Sequence, residues 1–178
     1  MARAGLTGVL LVGGASRRFG SPKALAEWEG ETLAARAWRV LGEACDERLA
    51  VGKAADGLAL GFPLLDDGTP LRHPAAGIVA GLRSAAHEVC VVLPVDYPLV
   101  TAASLRALGE SCADAAVALG GAPLPFAVRR ATMPVWESVL AAEASIRAGL
   151  AELEVATVEL DPAELVGVNT VDELRGLR

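Results

Sequence analysis

Two rhythms of hydrophobic and polar positions alternate along this chain. Leu6–Val12 (LTGVLLV) and residues 89–95 (VCVVLPV) are apolar at almost every position, the mark of strands covered on both faces. Shorter apolar runs at 48–51, 62–65 (FPLL), 115–119, Phe126–Arg129 and 155–160 are predicted as further strands. Between them the period lengthens. Residues 32–41 carry Leu33, Ala37, Val40 and Leu41 at helical spacing, and PAAGIVAGLRSAA at 74–86 places proline early in its first turn with Ile78, Leu82 and Ala85 on one stripe. Thr101 stands as an N-cap before a helix at 102–108, residues 135–142 and 145–150 are helical in pattern, and Thr170 caps a closing helix at 171–177. Strand followed by helix, repeated, predicts an α/β chain whose largely parallel sheet has helices on both faces. Ligands collect at the carboxyl ends of the strands in such sheets. GGASRRFGSPK after the first strand and PVDYP after the strand at 89–95 therefore draw attention.

Composition bounds this picture. With 178 residues, 53% hydrophobic and 21% charged, the chain suits one packed domain over 1–178. A net charge of −6 argues against a nucleic-acid binder that works by broad phosphate neutralisation. The sign reverses locally: Arg3, Arg17, Arg18 and Lys23 all precede the first acidic residue, Glu27. Such a patch suits a small polyanion. Cys45, Cys90 and Cys112 form no CxxC and cannot all pair, which favours reduced thiols in the cytoplasm. No apolar run approaches the roughly 18 residues that span a bilayer, so no membrane association is expected. The early apolar run meets Arg17 and Arg18 rather than a small-x-small cleavage site, and reads as a strand rather than a signal segment.

The glycine-rich loop matches no common phosphate motif. Gly14 and Gly20 are too far apart, and Lys23 is misplaced, for a Walker A sequence; G-x-G-x-x-G and G-x-S-x-G are both absent. Its chemistry is still definite. Gly13 and Gly14 allow close backbone approach to an anion, Arg18 offers a planar fork, and Lys23 a mobile point charge. The plain alternative is a solvated turn. Asp96, between Pro94 and Pro98, ends a buried strand. Facing the cationic loop it would hold Mg²⁺ between itself and phosphate oxygens; the plain alternative is a turn or capping aspartate. His73 and His87 sit in no zinc-binding spacing.

LVGGASRRFGSPKAL resembles LxGGxSxRMGxxKAL, the signature loop of nucleotidyltransferases acting on sugar phosphates and cofactors. HPAAGIVAGL is similar to GPLAGILAGL, VVLPVDYPLV to a strand followed by CDMPLV, PLPFAVRR to PLPALYRR, and VGVNTVDEL to NVNTPEDL. Together, over nearly the whole chain, these stretches resemble the molybdenum cofactor guanylyltransferases, which join the GMP of GTP to molybdopterin. The resemblance implies a three-layer α/β/α sandwich with a mainly parallel, Rossmann-like sheet of the nucleotide-diphospho-sugar transferase type. It also implies a Mg²⁺ cofactor, GTP and molybdopterin as substrates, and transient contact with other cofactor-biosynthesis proteins or molybdoenzymes. By the same likeness Leu11, Val12, Gly13 and Gly14 lie against the nucleotide, Ser16 shapes the turn, and Arg18 and Lys23 contact the triphosphate. Asp66 falls at the spacing of a nucleotide-contacting aspartate, with Asp67 as its rival. Asp96 corresponds to the metal ligand, and Asn169 to the second Asn of NxN, near the metal or the pterin phosphate.

The chain departs from these motifs at several points: Gly167 for the first Asn of NxN, Val171 for the proline after Thr170, His73 for glycine, Ala76 for leucine, and Pro22 for a frequent aspartate. Arg18, Lys23 and Asp96 are all kept. A CTP-using cytidylyltransferase, another small-phosphate nucleotidyltransferase and a non-catalytic nucleotide-sensing module on the same fold stay open at this stage.

Overall fold

The computed structural model describes residues 4–13 and 22–177. In chain order the strands and α-helices are β1 (Leu6–Val12), β2 (Glu27–Trp28), β3 (Glu31–Thr32), α1 (Leu33–Ala44), β4 (Glu47–Gly52), β5 (Leu65–Asp66), α2 (Pro74–Ser84), β6 (Val89–Pro94), α3 (Ala102–Glu110), β7 (Ala115–Ala118), β8 (Phe126–Arg129), α4 (Met133–Ala141), α5 (Ile146–Leu150), β9 (Val155–Val158) and α6 (Val171–Gly176). Seven strands form one sheet in the order β5-β4-β1-β6-β8-β7-β9, and β2 and β3 make a separate hairpin. Neighbours are parallel except at β8, which runs antiparallel to both β6 and β7. The expected α/β architecture is thus present, with a mainly parallel sheet.

The all-apolar strands are explained by packing on two faces. Leu6, Leu10 and Val12 of β1 and Val89, Val91 and Leu93 of β6 share a core with Ala34, Ala37 and Leu41 of α1 and Leu105 and Leu108 of α3. The intervening Val9, Leu11, Cys90 and Val92 pack with Ile78, Val79 and Leu82 of α2 and Trp136 and Val139 of α4. Side chains alternate across a strand, so β1 supplies both cores. Helices start where side-chain oxygens satisfy their first N–H groups: Thr32, Thr101, Ser145 and Thr170 each accept from the residue three ahead.

The predicted strand at 62–65 is not formed; only Leu65 and Asp66 pair, with Val51 and Gly52 of β4. Phe62 instead stacks on Trp38 with ring centroids 4.4 Å apart. The hairpin of β2 and β3 had no counterpart in the sequence pattern.

Candidate active site

A cleft of about 260 Å³ opens where the central strands end. Its floor is the end of β1 with Gly13 beyond it (Leu11, Val12, Gly13), flanked on one side by the end of β4 (Val51, Gly52) and the following Lys53, and on the other by Pro94, which ends β6, and the following Asp96 and Tyr97. Asp67, the start of α2 and Leu124 complete the wall. Gly52 permits the close approach on the β4 side, since a Cβ there would lie 2.1 Å from the Val12 carbonyl oxygen.

Lys23 and Asp96 meet at this cleft. Lys23 opens a single 3₁₀ turn, Lys23–Leu25, that follows Pro22. Its Nζ lies 3.3 Å from Asp96 Oδ2, donates to the Val168 carbonyl at 2.7 Å and reaches Asn169 Oδ1 at 3.4 Å. The loop bearing Asp96 is tied to the same segment, because the Val168 N–H donates to the Asp96 carbonyl at 2.8 Å. Asn169 is fixed through its own N–H, which donates to Glu173 Oε2 at 2.6 Å. The structure thereby brings together Lys23, Asp96, Asn169, Leu11, Val12 and Gly13. Gly14, Ser16 and Arg18 lie outside the described residues.

Asp96 Oδ1 is buried and has no hydrogen-bond partner among the described residues. An orphaned carboxylate oxygen beside a lysine that faces its twin fits a divalent cation. Among the described residues no group of three or more His, Cys, Asp or Glu is placed to hold a metal. A lone carboxylate suits Mg²⁺, which takes one or two from the protein and fills its shell with water and phosphate. Tyr97, next along, has its phenol pushed above the usual value by burial and then by the Asp96 charge, so it is a neutral donor at physiological pH.

The other side of the cleft holds a second ion pair. Lys53 Nζ donates to Asp67 Oδ1 at 2.6 Å and to the Thr69 carbonyl. Both side chains are largely buried, 12% and 7% exposed. Asp66 has another role. Its carboxylate accepts from the Ala54 N–H at 2.7 Å and the Gly68 N–H at 2.8 Å, and these two backbone bonds hold its pKa below the ordinary value. It fastens the loop after β4 to β5, whereas Asp67 lines the cleft. His73 caps α2, its Nδ1 accepting from the Ala75 N–H at 3.1 Å. Lys53 and Tyr97 were not singled out from sequence. Each directly follows a strand or its terminal turn, so the carboxyl-end rule applied to every strand finds both.

Residues 8–158 match the MobA-like NTP transferase domain. The chain belongs to that family. A molybdenum cofactor guanylyltransferase of Xanthomonas euvesicatoria pv. vesicatoria is 31% identical over 176 residues, covering 94% of this chain and 91% of that protein. Another, of Pseudomonas syringae pv. syringae, is 37% identical over 110 residues, 60% of this chain, and the match spans 55% of that protein's length. Among solved structures, molybdopterin-guanine dinucleotide biosynthesis protein A of Archaeoglobus fulgidus superposes with a TM-score of 0.79 at 22% identity, over 96% of this chain and 95% of that one. That likeness is one of fold. The MobA-like assignment makes this chain a nucleotidyltransferase by family, and its cleft lies at the strand ends, where such sheets hold ligands. No helix among its described residues is long and apolar enough to cross a membrane.

Proposed function

We propose that this MobA-like chain transfers GMP from GTP to the terminal phosphate of molybdopterin, releasing pyrophosphate. The observation that carries the reading is the meeting of Lys23 and Asp96 at one cleft, with an orphaned Asp96 oxygen beside them. The relatives named molybdenum cofactor guanylyltransferase support the choice of substrates. The reaction forms a bond from the acceptor phosphate oxygen to the α-phosphorus and breaks the bond to the β-phosphate, whose oxygen keeps the electron pair. The nucleophile is already an anion, so no general base is required. The barrier is electrostatic, since two polyanions must meet while charge grows on the leaving group.

Lys23 answers that barrier. In the structure its ammonium rests between the Asp96 carboxylate and the Val168 carbonyl. A phosphate arriving at the end of β1 offers it a further anionic partner beside Asp96 without displacing its helical turn. Asp96 would hold Mg²⁺ through Oδ1, and the ion when bound supplies neutralisation of phosphate charge. Arg18, a triphosphate contact by resemblance, belongs to the same reading. On the β4 side, Asp67 offers a carboxylate and Lys53 an ammonium. Guanine presents adjacent N–H donors for the first and a carbonyl for the second, whereas cytosine presents a single amino donor. We therefore assign the base-contacting carboxylate to Asp67 in place of Asp66.

Thermal denaturation with GTP, CTP, ATP and UTP, each with and without Mg²⁺, tests the assignment. A nucleotide at about 100 times its Kd adds about 2.7 kcal/mol, which for a chain of this size raises Tm by roughly 5–10 °C. GTP with Mg²⁺ is expected to give the largest shift, and molybdopterin added to that complex to release pyrophosphate. Equal shifts by all four nucleotides remove the guanine assignment. GTP binding without pyrophosphate release would leave a nucleotide sensor instead of a transferase.

A further inference from the structure

Gly167 lies against the ring of Tyr97. Its backbone is not in the left-handed region that other glycines of the chain occupy, so any residue suits its conformation. What a side chain would meet is Tyr97: a Cβ at position 167 would lie 3.4 Å from Tyr97 Cζ, 3.5 Å from Cε1 and 3.7 Å from the hydroxyl oxygen. A methyl group there rests in ordinary van der Waals contact with the ring, and a longer side chain must turn away from the ring or displace it. The two loops cannot move apart freely, because Val168 N–H is bonded to the Asp96 carbonyl and Val168 O to Lys23.

Tyr97 lines the cleft. Its hydroxyl has no hydrogen-bond partner among the described residues and is not sealed from solvent, so it is available to a ligand. Its place in the sheet says which one. The order β5-β4-β1-β6-β8 puts β4 and β5 on one side of β1 and β6 on the other. Lys53 and Asp67 stand on the first side, where the nucleotide is assigned above, and Tyr97 with Leu124 on the second. Asp96 adjoins Tyr97 on that second side, with Lys23 bonded to it. The part of the β6 side beyond Asp96, at Tyr97 and Leu124, is left for the second substrate.

We infer that Tyr97 is an acceptor-recognition residue, its hydroxyl donating to the phosphate of the acceptor, and that Gly167 is the space that admits its ring. This inference rests on the transfer reading above. The two positions also depart together from the motifs the chain resembles: Tyr97 stands at the Met of CDMPLV and Gly167 at the first Asn of NxN.

Tyr97→Phe removes one oxygen and leaves the ring in place. With molybdopterin as acceptor, kcat/KM for the acceptor is expected to fall about tenfold, which is about 1.4 kcal/mol and close to the lower end for one hydrogen bond to a charged group. The Kd of GTP with Mg²⁺, measured by calorimetry, is expected to stay within about twofold. Acceptor kinetics equal to wild type, or a loss shared equally by GTP and acceptor, overturns the assignment. Gly167→Asn tests the pairing: it should lower acceptor kcat/KM beside Tyr97 and spare it in a Tyr97→Met background. Equal cost in both backgrounds overturns the pairing. If the wild-type chain neither binds GTP nor releases pyrophosphate, the transfer reading itself has failed. If it does both and Tyr97→Phe behaves as wild type, only this inference has.

Discussion

Lys23 Nζ is held by groups from two distant stretches of chain, the Asp96 carboxylate and the carbonyl and amide oxygens of Val168 and Asn169. Its side chain is 16% exposed, so its charge acts close to the cleft rather than through bulk water. Lys23→Ala is expected to lower kcat by about 10²–10³, the scale of losing one positioned charge stabiliser; near-full turnover would show that Lys23 is only a strut. Asp96→Asn keeps shape and removes charge. It is expected to abolish turnover at limiting Mg²⁺ while far-UV circular dichroism stays native, and unchanged activity there would free Asp96 of any metal. Both residues were legible in the sequence because each closes a segment that follows an unbroken apolar run. The choice between Asp66 and Asp67 was not. Adjacent residues on an extended segment point to opposite sides, and the proposed assignment to Asp67 rests on a pair of loop N–H groups, from Ala54 and Gly68, that bond Asp66. Nothing in local spacing announces those bonds.

Helix and strand placement was legible to within a few residues wherever a cap and an apolar stripe agreed, as at Thr101 before α3 and Thr170 before α6. FPLL misled because its apolar residues serve as a pad: Phe62 covers Trp38 rather than joining a ladder. The reversed direction of β8 was in fact available. Only residues 119–125 separate β7 from β8, too few for the crossover of about a dozen residues that a parallel pair needs. Close seating of α2 on the sheet depends on Gly81, where a Cβ would lie 2.6 Å from Val9 Cγ1 and 2.9 Å from Cγ2. Gly81→Val is therefore expected to destabilise by about 1–3 kcal/mol, read as a drop in the urea midpoint at unchanged m-value. A midpoint at or above wild type would mean that α2 shifts on the sheet at no cost.

At the scale of the whole molecule, the site is assembled from the ends of β1, β4 and β6, the turn at Lys23, and the segment before α6. Sequence order gives no hint that Lys23 and Asn169 are neighbours; the sheet order, which carries β1 into the centre between β4 and β6, makes them so. The fold class was legible because fully apolar strands alternating with capped helices leave few other arrangements. The cleft's two walls were not, since they arise from how segments far apart in the chain are stapled. That stapling has a bearing on local opening. Lys23 and the Val168 carbonyl stand 145 residues apart in the chain, so lifting away the segment before α6 would release the ammonium while the ladders of the sheet stayed paired.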